Sequence, residues 1–264
     1  MAGERVSFRH YRIYLLLLIL LLVGWDAWLD RSELTAWEHP LRVVVYPLNG
    51  DGSQAAASYV ERLRNSSFKS IERVMSAQAA AYGLALDLPL SIELGPPVDE
   101  LPPQPPVQGN VLQIMWWNLK VRRWAGAIER KAGLPADIRV FMQFYDHHAN
   151  GYLAHSVGVE KGRIAIAHLY ATRAMAAEND MILLHEILHT LGASDKYDPA
   201  TNQPLYPQGF AQPQKQPLYP QAQIEIMAGR RPLSATEVAV IDHLDQLVIG
   251  EQTAREIGWL KGES

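Results

Sequence analysis

Residues 183–198 read LLHEILHTLGASDKYD, and this stretch decides the expected fold. His185 and His189 are four positions apart, a separation that brings two side chains to the same face of an α-helix. Glu186 directly follows the first histidine, so its carboxylate lies beside both imidazoles. The spacing therefore predicts a helix that carries two metal ligands with an acidic side chain next to them.

A third ligand is needed, because a catalytic zinc site uses three protein ligands and keeps one position open. Gly192 follows His189 at a distance where glycine can adopt a left-handed conformation and end the helix. Asp195 and Asp198 are then the alternatives for the third ligand, and Asp195, directly past the turn, is preferred. A chain without cysteine must use imidazole and carboxylate ligands, and zinc is the expected ion because neutral imidazole suits it. Glu186 would act as general base on a water whose pKa the ion lowers to about 7.

The stretch HEILHTLGASD resembles the signature of the metzincin zinc peptidases, HExxHxxGxx followed by a third ligand. Asp195 stands where most metzincins have histidine, whereas the snapalysin group has an aspartate there. The aspartate changes the charge of the site. The resemblance implies peptide hydrolysis, with zinc bound by His185, His189 and Asp195. It also implies that the strand GRIAIAHL, residues 162–169, is the sheet edge along which an extended peptide binds.

Downstream, Met227 in the sequence EIMAG fits the methionine that metzincins have in a tight turn beneath the metal. Some metzincins have a tyrosine directly after this methionine, whereas this chain continues with alanine and glycine. The residue that stabilises a developing oxyanion therefore remains open between Tyr197, Tyr206 and Tyr219.

The fold class expected from the whole chain is α+β, without a regular βαβ alternation. Runs of β-branched and apolar residues predict strands at 41–48, 90–94, 111–117, 137–146 and 162–169. Helical periodicity predicts helices at 55–82 and 119–132, and a third that begins between 174 and 180 and ends at 191. Asn150-Gly151 predicts a hairpin turn. Ser234 and Glu237 form a capping-box pattern, which predicts an amphipathic C-terminal helix through residue 248. By resemblance, the fold is a zincin-like (metzincin) mixed twisted sheet with an active-site helix and a C-terminal helix.

The N-terminus contains the apolar run LLLLILLL after three arginines. This predicts one transmembrane signal anchor at 13–29, with a cytoplasmic tail at 1–12, a connector at 30–40 and a metallopeptidase-like catalytic domain at 41–264. The catalytic domain would then lie outside the inner membrane, in the periplasm. A cleaved signal peptide, followed by secretion, is the alternative.

Charge and composition restrict the partners. The net charge is -4, with 24 Lys+Arg against 28 Asp+Glu, which argues against a nucleic-acid-binding protein. The expected partners are a peptide or protein substrate and, through the N-terminal helix, the membrane; no oligomeric state is predicted. The expected function is a membrane-anchored extracytoplasmic zinc endopeptidase. Alternatives are a non-catalytic, zinc-stabilised, membrane-anchored binding protein and a zinc hydrolase of cell-wall peptides.

Overall fold

The computed structural model describes residues 11–15, 17, 18, 21, 35–106, 109–154, 156–159 and 162–260. Within the span predicted at 13–29, the described residues are helical, and the remainder of that span lies outside the described residues. No helix in the described part is both long enough and apolar enough to cross a bilayer. The transmembrane helix of the predicted fold is therefore not found among the described residues.

Five strands form one mixed sheet: β1 (Leu41–Asn49), β2 (Leu90–Leu94), β3 (Ile138–Tyr145), β4 (Val157–Val159) and β5 (Ile164–Tyr170). Their order across the sheet is β2-β1-β3-β5-β4. The first four strands in this order run parallel, and β4 pairs antiparallel with β5. β1 lies inside the sheet because its sequence LRVVVYPLN is apolar on both faces, as buried parallel strands are.

The sheet is covered on both faces by α1 (Gln54–Arg62), α2 (Lys69–Ala81), α3 (Val111–Ala132) and α4 (Ala176–Thr190). One apolar cluster joins the face of Val43 and Val45 to α1, α2 and α4, while Val44 and Tyr46 belong to a second cluster with α3. Helices thus connect β1 to β2 and β2 to β3. The predicted α+β class is wrong on this point, because the architecture is mixed α/β.

The strand predicted at 111–117 is instead the first part of α3. Asn110 accepts a hydrogen bond from the Gln113 backbone N–H, and the Gln113 side chain accepts one from the Asn110 N–H. This capping box starts a helix whose buried residues include Val121 and Trp124, three positions apart. The branched and aromatic composition of VLQIMWW suggested a strand, but the cap and the helical spacing that follows determine the structure.

The C-terminal helix predicted up to residue 248 is also wrong. Ser234 does accept the Glu237 N–H at 3.0 Å, but it does so in the turn between β7 (Arg231–Pro232) and β8 (Val238–Ala239), which pair antiparallel. β6 (Ile224–Glu225) and β9 (Leu247–Val248) form another two-stranded sheet. The final helix, α5, is shorter and later, at Glu251–Glu256.

Two predictions about the sheet edge are wrong as well. The hairpin predicted at Asn150-Gly151 does not form, because β3 pairs parallel with β5, and the antiparallel pair is β4 with β5. β5, predicted as the edge, lies between β3 and β4, and the edge strand is β4. A three-residue strand containing a glycine gives too short a pattern to be recognised in the sequence.

Candidate metal centre

The end of α4 determines where the third ligand lies. Gly192 has φ 94°, and its N–H donates to the His189 carbonyl oxygen at 3.1 Å. The Ala193 N–H donates to the Leu188 carbonyl oxygen at 3.1 Å, which completes a Schellman motif. The prediction that Gly192 ends the helix in a left-handed conformation is confirmed, and the turn brings Asp195 back against the helix.

The side chains of His185, His189 and Asp195 form one group whose potential ligand atoms all lie within 4.8 Å of one another. Asp195 Oδ1 is 3.1 Å from His185 Nε2 and 3.1 Å from His189 Nε2. Asp198 is outside this group, and its carboxylate accepts the Ala200 N–H at 2.8 Å. The group of three can hold a metal ion.

Backbone hydrogen bonds orient both imidazoles. His185 Nδ1 lies 3.0 Å from the Ile226 carbonyl oxygen, and His189 Nδ1 lies 2.8 Å from the Ala193 carbonyl oxygen. A carbonyl oxygen can only accept, so each Nδ1 carries the hydrogen and each neutral ring presents a lone pair at Nε2. In this neutral form the two lone pairs face the Asp195 carboxylate, so a cation, either a metal ion or a proton on a ring, stabilises the arrangement. The donor set therefore fits a metal ion bound by two imidazoles and a carboxylate.

The pKa values agree with a site that favours positive charge. Burial acts to raise the pKa of Asp195, but the hydrogen bonds from His185 and His189 outweigh it and hold this pKa well below its usual range. Burial acts to lower the pKa of His189, but the hydrogen bond to Asp195 and the nearby Glu186 charge raise it overall. The pocket thus stabilises a cation, whether a proton or a metal ion.

Glu186 lies on the same helix with 5% of its surface exposed. Its Oε2 atom is buried and has no hydrogen-bond partner. Burial, the largest effect, raises the pKa of Glu186, the two histidines lower it and Asp195 raises it further. Burying a carboxylate oxygen without a hydrogen-bond partner lowers the stability of the fold. This oxygen is therefore available to accept a hydrogen bond from a water or substrate that enters the site.

The turn at Met227 lies against the ligand residues. Its side chain is fully buried, and its carbonyl oxygen accepts the Lys196 N–H at 2.9 Å. The preceding residue, Ile226, supplies the carbonyl that orients His185. The turn therefore contacts both the ligand helix and the segment that follows Asp195. The role of Met227 beneath a metal stays a prediction.

Two glutamates, the buried Glu225 and the partly buried Glu256, connect segments around the centre, and the sequence analysis predicted this role for neither one. Glu225 accepts hydrogen bonds from the Thr253 hydroxyl at 2.6 Å and from the Ala228 and Gly250 N–H groups at 3.0 and 3.2 Å. Burial raises the pKa of Glu225. Glu256, in α5, accepts a hydrogen bond from Lys196 Nζ at 2.7 Å. The Glu225 contacts to Gly250 and Thr253 and the Glu256 contact to Lys196 join segments far apart in the sequence, so only the tertiary fold reveals them.

The edge strand β4 passes close to the ligand helix at Gly158. A Cβ atom added there would lie 2.5 Å from His189 Cβ and 3.3 Å from the Glu186 carbonyl oxygen. The close approach requires a glycine, because real Cβ atoms do not come so near to other atoms. The outer edge of the sheet is therefore adjacent to the candidate metal centre, and the sequence had not singled out Gly158.

Of the three candidate tyrosines, Tyr197 responds to the charges of the centre. Burial is the main cause that raises the pKa of Tyr197, and the charges of Asp195 and Glu186 add to it. Tyr206 and Tyr219 instead pack around Phe210, with ring centroids 5.4 and 5.8 Å from it.

No protein-family model matches this chain, and no curated protein matches it significantly in sequence. The resemblance to metzincins therefore rests on the motif in residues 185–195 and on Met227, and it stays a prediction. The direct structural finding is narrower: His185, His189 and Asp195 form a group able to bind a metal ion.

Proposed function

We propose that this chain is a zinc-dependent peptidase of metzincin type, with zinc held by His185, His189 and Asp195 and with Glu186 as general base. The observation that carries the proposal is the buried Glu186 Oε2, which lacks a partner beside the three potential ligands. A purely structural zinc site has no need for an unpaired buried carboxylate, and its desolvation is unfavourable.

The protein's own groups can perform the proton transfers. When bound, zinc would act as a Lewis acid that lowers the pKa of water to about 7. Glu186 would accept a proton from the attacking water and donate it to the leaving amine. Its raised pKa suits both steps, since a general base works best with a pKa near the operating pH. The Tyr197 hydroxyl would donate a hydrogen bond to the developing oxyanion.

The position of β4 supports an extended peptide as the substrate. β4 stands at the edge of the sheet, and Gly158 within it lies against the ligand helix. A peptide that adds to this edge as a further strand would run past Glu186 and the ligands. Its backbone would form the hydrogen bonds, and its side chains would alternate toward and away from the site.

The proposal is tested with zinc-loaded wild type, Glu186→Gln and the control Glu178→Gln on the same helix. We expect wild type and Glu178→Gln to cleave members of a broad peptide library. We expect Glu186→Gln to bind zinc equally well but to lose about 10²–10⁴-fold in kcat, the usual contribution of a general base. Zinc binding by wild type without cleavage of any library peptide would favour a non-catalytic zinc protein. Cleavage restricted to cell-wall peptides would identify the other alternative.

A further inference from the structure

The outward face of α3 carries an unusual apolar surface. Five large apolar side chains there, 46–73% exposed, form a stripe in the first half of the helix: Val111, Leu112, Met115, Trp116 and Leu119. At about 100° per residue this stripe lies opposite the face of Val121 and Trp124, which packs on the sheet. Contiguous exposed apolar surface of this kind marks an interaction site.

From Lys120 to its end the same helix is basic, and this part is its basic half. It contains one acidic residue, Glu129, which pairs with Arg139 at 2.8 Å, and five exposed basic residues: Lys120, Arg122, Arg123, Arg130 and Lys131. The whole chain has a net charge of -4, so this helix departs strongly from the average surface. Lys120 Nζ lies 6.0 Å from the Trp116 ring centroid, at the boundary between the apolar stripe and the basic half.

We propose that α3 binds the surface of an anionic lipid bilayer, with the apolar stripe inserted among the lipids and the basic residues at the phosphate groups. Interfacial helices combine an apolar face containing Trp and Leu with nearby Lys and Arg. Each basic residue near an anionic surface strengthens such binding. The apolar stripe and the basic cluster together therefore match a bilayer, which offers hydrocarbon and negative charge side by side.

A second copy of the chain fits this surface less well. If two α3 helices packed antiparallel, the basic half of one would lie on the apolar stripe of the other and leave its charges without partners, which is unfavourable. If they packed parallel, the basic halves would face and repel each other. A bilayer avoids both arrangements.

The proposed contact is separate from the metal centre. The two apolar clusters place α3 and α4 on opposite faces of the sheet. A bilayer bound to α3 therefore leaves His185, His189 and Asp195 on the far side of the sheet. Lipid binding and zinc-dependent cleavage can accordingly be lost independently.

The absence of cysteine permits a position-specific test on the full chain. Leu112→Cys is labelled with an environment-sensitive fluorophore and mixed with phosphatidylcholine vesicles, with or without phosphatidylglycerol. We expect the emission to shift to the blue only with phosphatidylglycerol present, and high salt to reverse the shift. Tyr152→Cys, at a loop residue that is 99% exposed, is the labelled control and should not respond. Arg122→Gln and Arg123→Gln should each weaken binding roughly fivefold.

Three results would overturn the proposal. Absence of binding to anionic vesicles would do so directly. Vesicle binding without a response of the label at position 112 would assign the contact to another part of the chain. Emission already shifted to the blue without vesicles, together with protection from a soluble quencher, would mean that protein covers the stripe.

Discussion

Glu256 accepts two hydrogen bonds from Ser194, one from its backbone N–H and one from its hydroxyl, both at 2.9 Å. Ser194 immediately precedes Asp195, and Lys196 on the other side also donates to Glu256 at 2.7 Å. A single carboxylate in α5 therefore fixes both neighbours of the third candidate ligand. Glu256 is a positioning residue, since it acts on the centre through the backbone around Asp195.

Replacing Glu256 should therefore weaken zinc binding. We expect Glu256→Ala to lower zinc affinity about 10–100-fold, the range typical of groups that orient metal ligands. Glu256→Gln, which keeps an acceptor, should recover part of that loss. Chelator competition measures the affinities, and Glu251→Ala in the same helix is the control. Unchanged affinity in Glu256→Ala would show that the turn alone positions Asp195.

The identity of the third ligand can be tested by a pair of substitutions. Asp195→Ala should lose zinc affinity by more than the 10–100-fold expected for an orienting group, because it removes a ligand atom. Asp198→Ala should retain wild-type affinity, since its carboxylate caps a local turn. Metal analysis of the purified proteins gives the result, and equal zinc content in Asp195→Ala and wild type would rule out the assignment.

Tyr197 should be the tyrosine that affects turnover. Removing its hydroxyl in Tyr197→Phe should lower kcat by about 10²–10³ with little change in KM, as expected for loss of an oxyanion donor. Tyr206→Phe and Tyr219→Phe are matched controls, because these rings pack on Phe210. A larger loss of kcat in either control than in Tyr197→Phe would contradict the assignment.

Gly158 should tolerate no side chain. In Gly158→Ala the new Cβ would meet His189 Cβ, so β4 or α4 has to move. We expect the free energy of unfolding to fall by about 1–3 kcal/mol, the usual cost of overpacking, and zinc affinity to fall with it. Gly151→Ala is the control, since its Cβ would have no atom within 4 Å. Denaturant titration measures the free energy of unfolding of both variants. Equal values for Gly158→Ala and Gly151→Ala would contradict the expectation.

Asp180 should make folding stability depend on pH. Burial raises its pKa from 3.8 to about 6, partly opposed by the hydrogen bond from the Ser70 hydroxyl. The folded state thus disfavours the charged form of Asp180. The contribution of Asp180 to the free energy of unfolding is therefore complete below pH 3.8 and is lost as pH rises through about 6. At about 1.4 kcal/mol per pKa unit, the loss amounts to ~3 kcal/mol.

Asp180→Asn should not show this loss. In chelator-treated protein, its free energy of unfolding relative to wild type should increase between pH 4 and pH 7, with the exposed Asp87→Asn as control. A difference between Asp180→Asn and wild type that stays constant across this range would contradict the expected pKa of Asp180.

The sequence predicted the parts of this protein that depend on local spacing. The helix of His185 and His189, the glycine turn and the proximity of Asp195 follow from residues within one short stretch, where helical geometry leaves little freedom. β1 was predicted for a similar reason, since an apolar β-branched run has few alternatives to a buried strand.

The errors occurred where local signals were ambiguous or contacts were distant. VLQIMWW has strand-like composition, but the capping box at Asn110 begins a helix there. Ser234 and Glu237 have capping-box spacing, but their hydrogen bond closes a turn between two strands. Glu256 lies 62 residues from Ser194, and no pattern in the sequence connects them.

The two orienting acceptors of the centre are main-chain oxygens, at Ala193 and Ile226. No side-chain replacement at either position can delete the oxygen that holds a histidine ring in place. Related chains could therefore carry other side chains at 193 and 226, provided that these fit the same buried space, while both rings keep the same tautomer. Sequence divergence at these positions is compatible with an unchanged centre, provided that the path of the backbone is preserved.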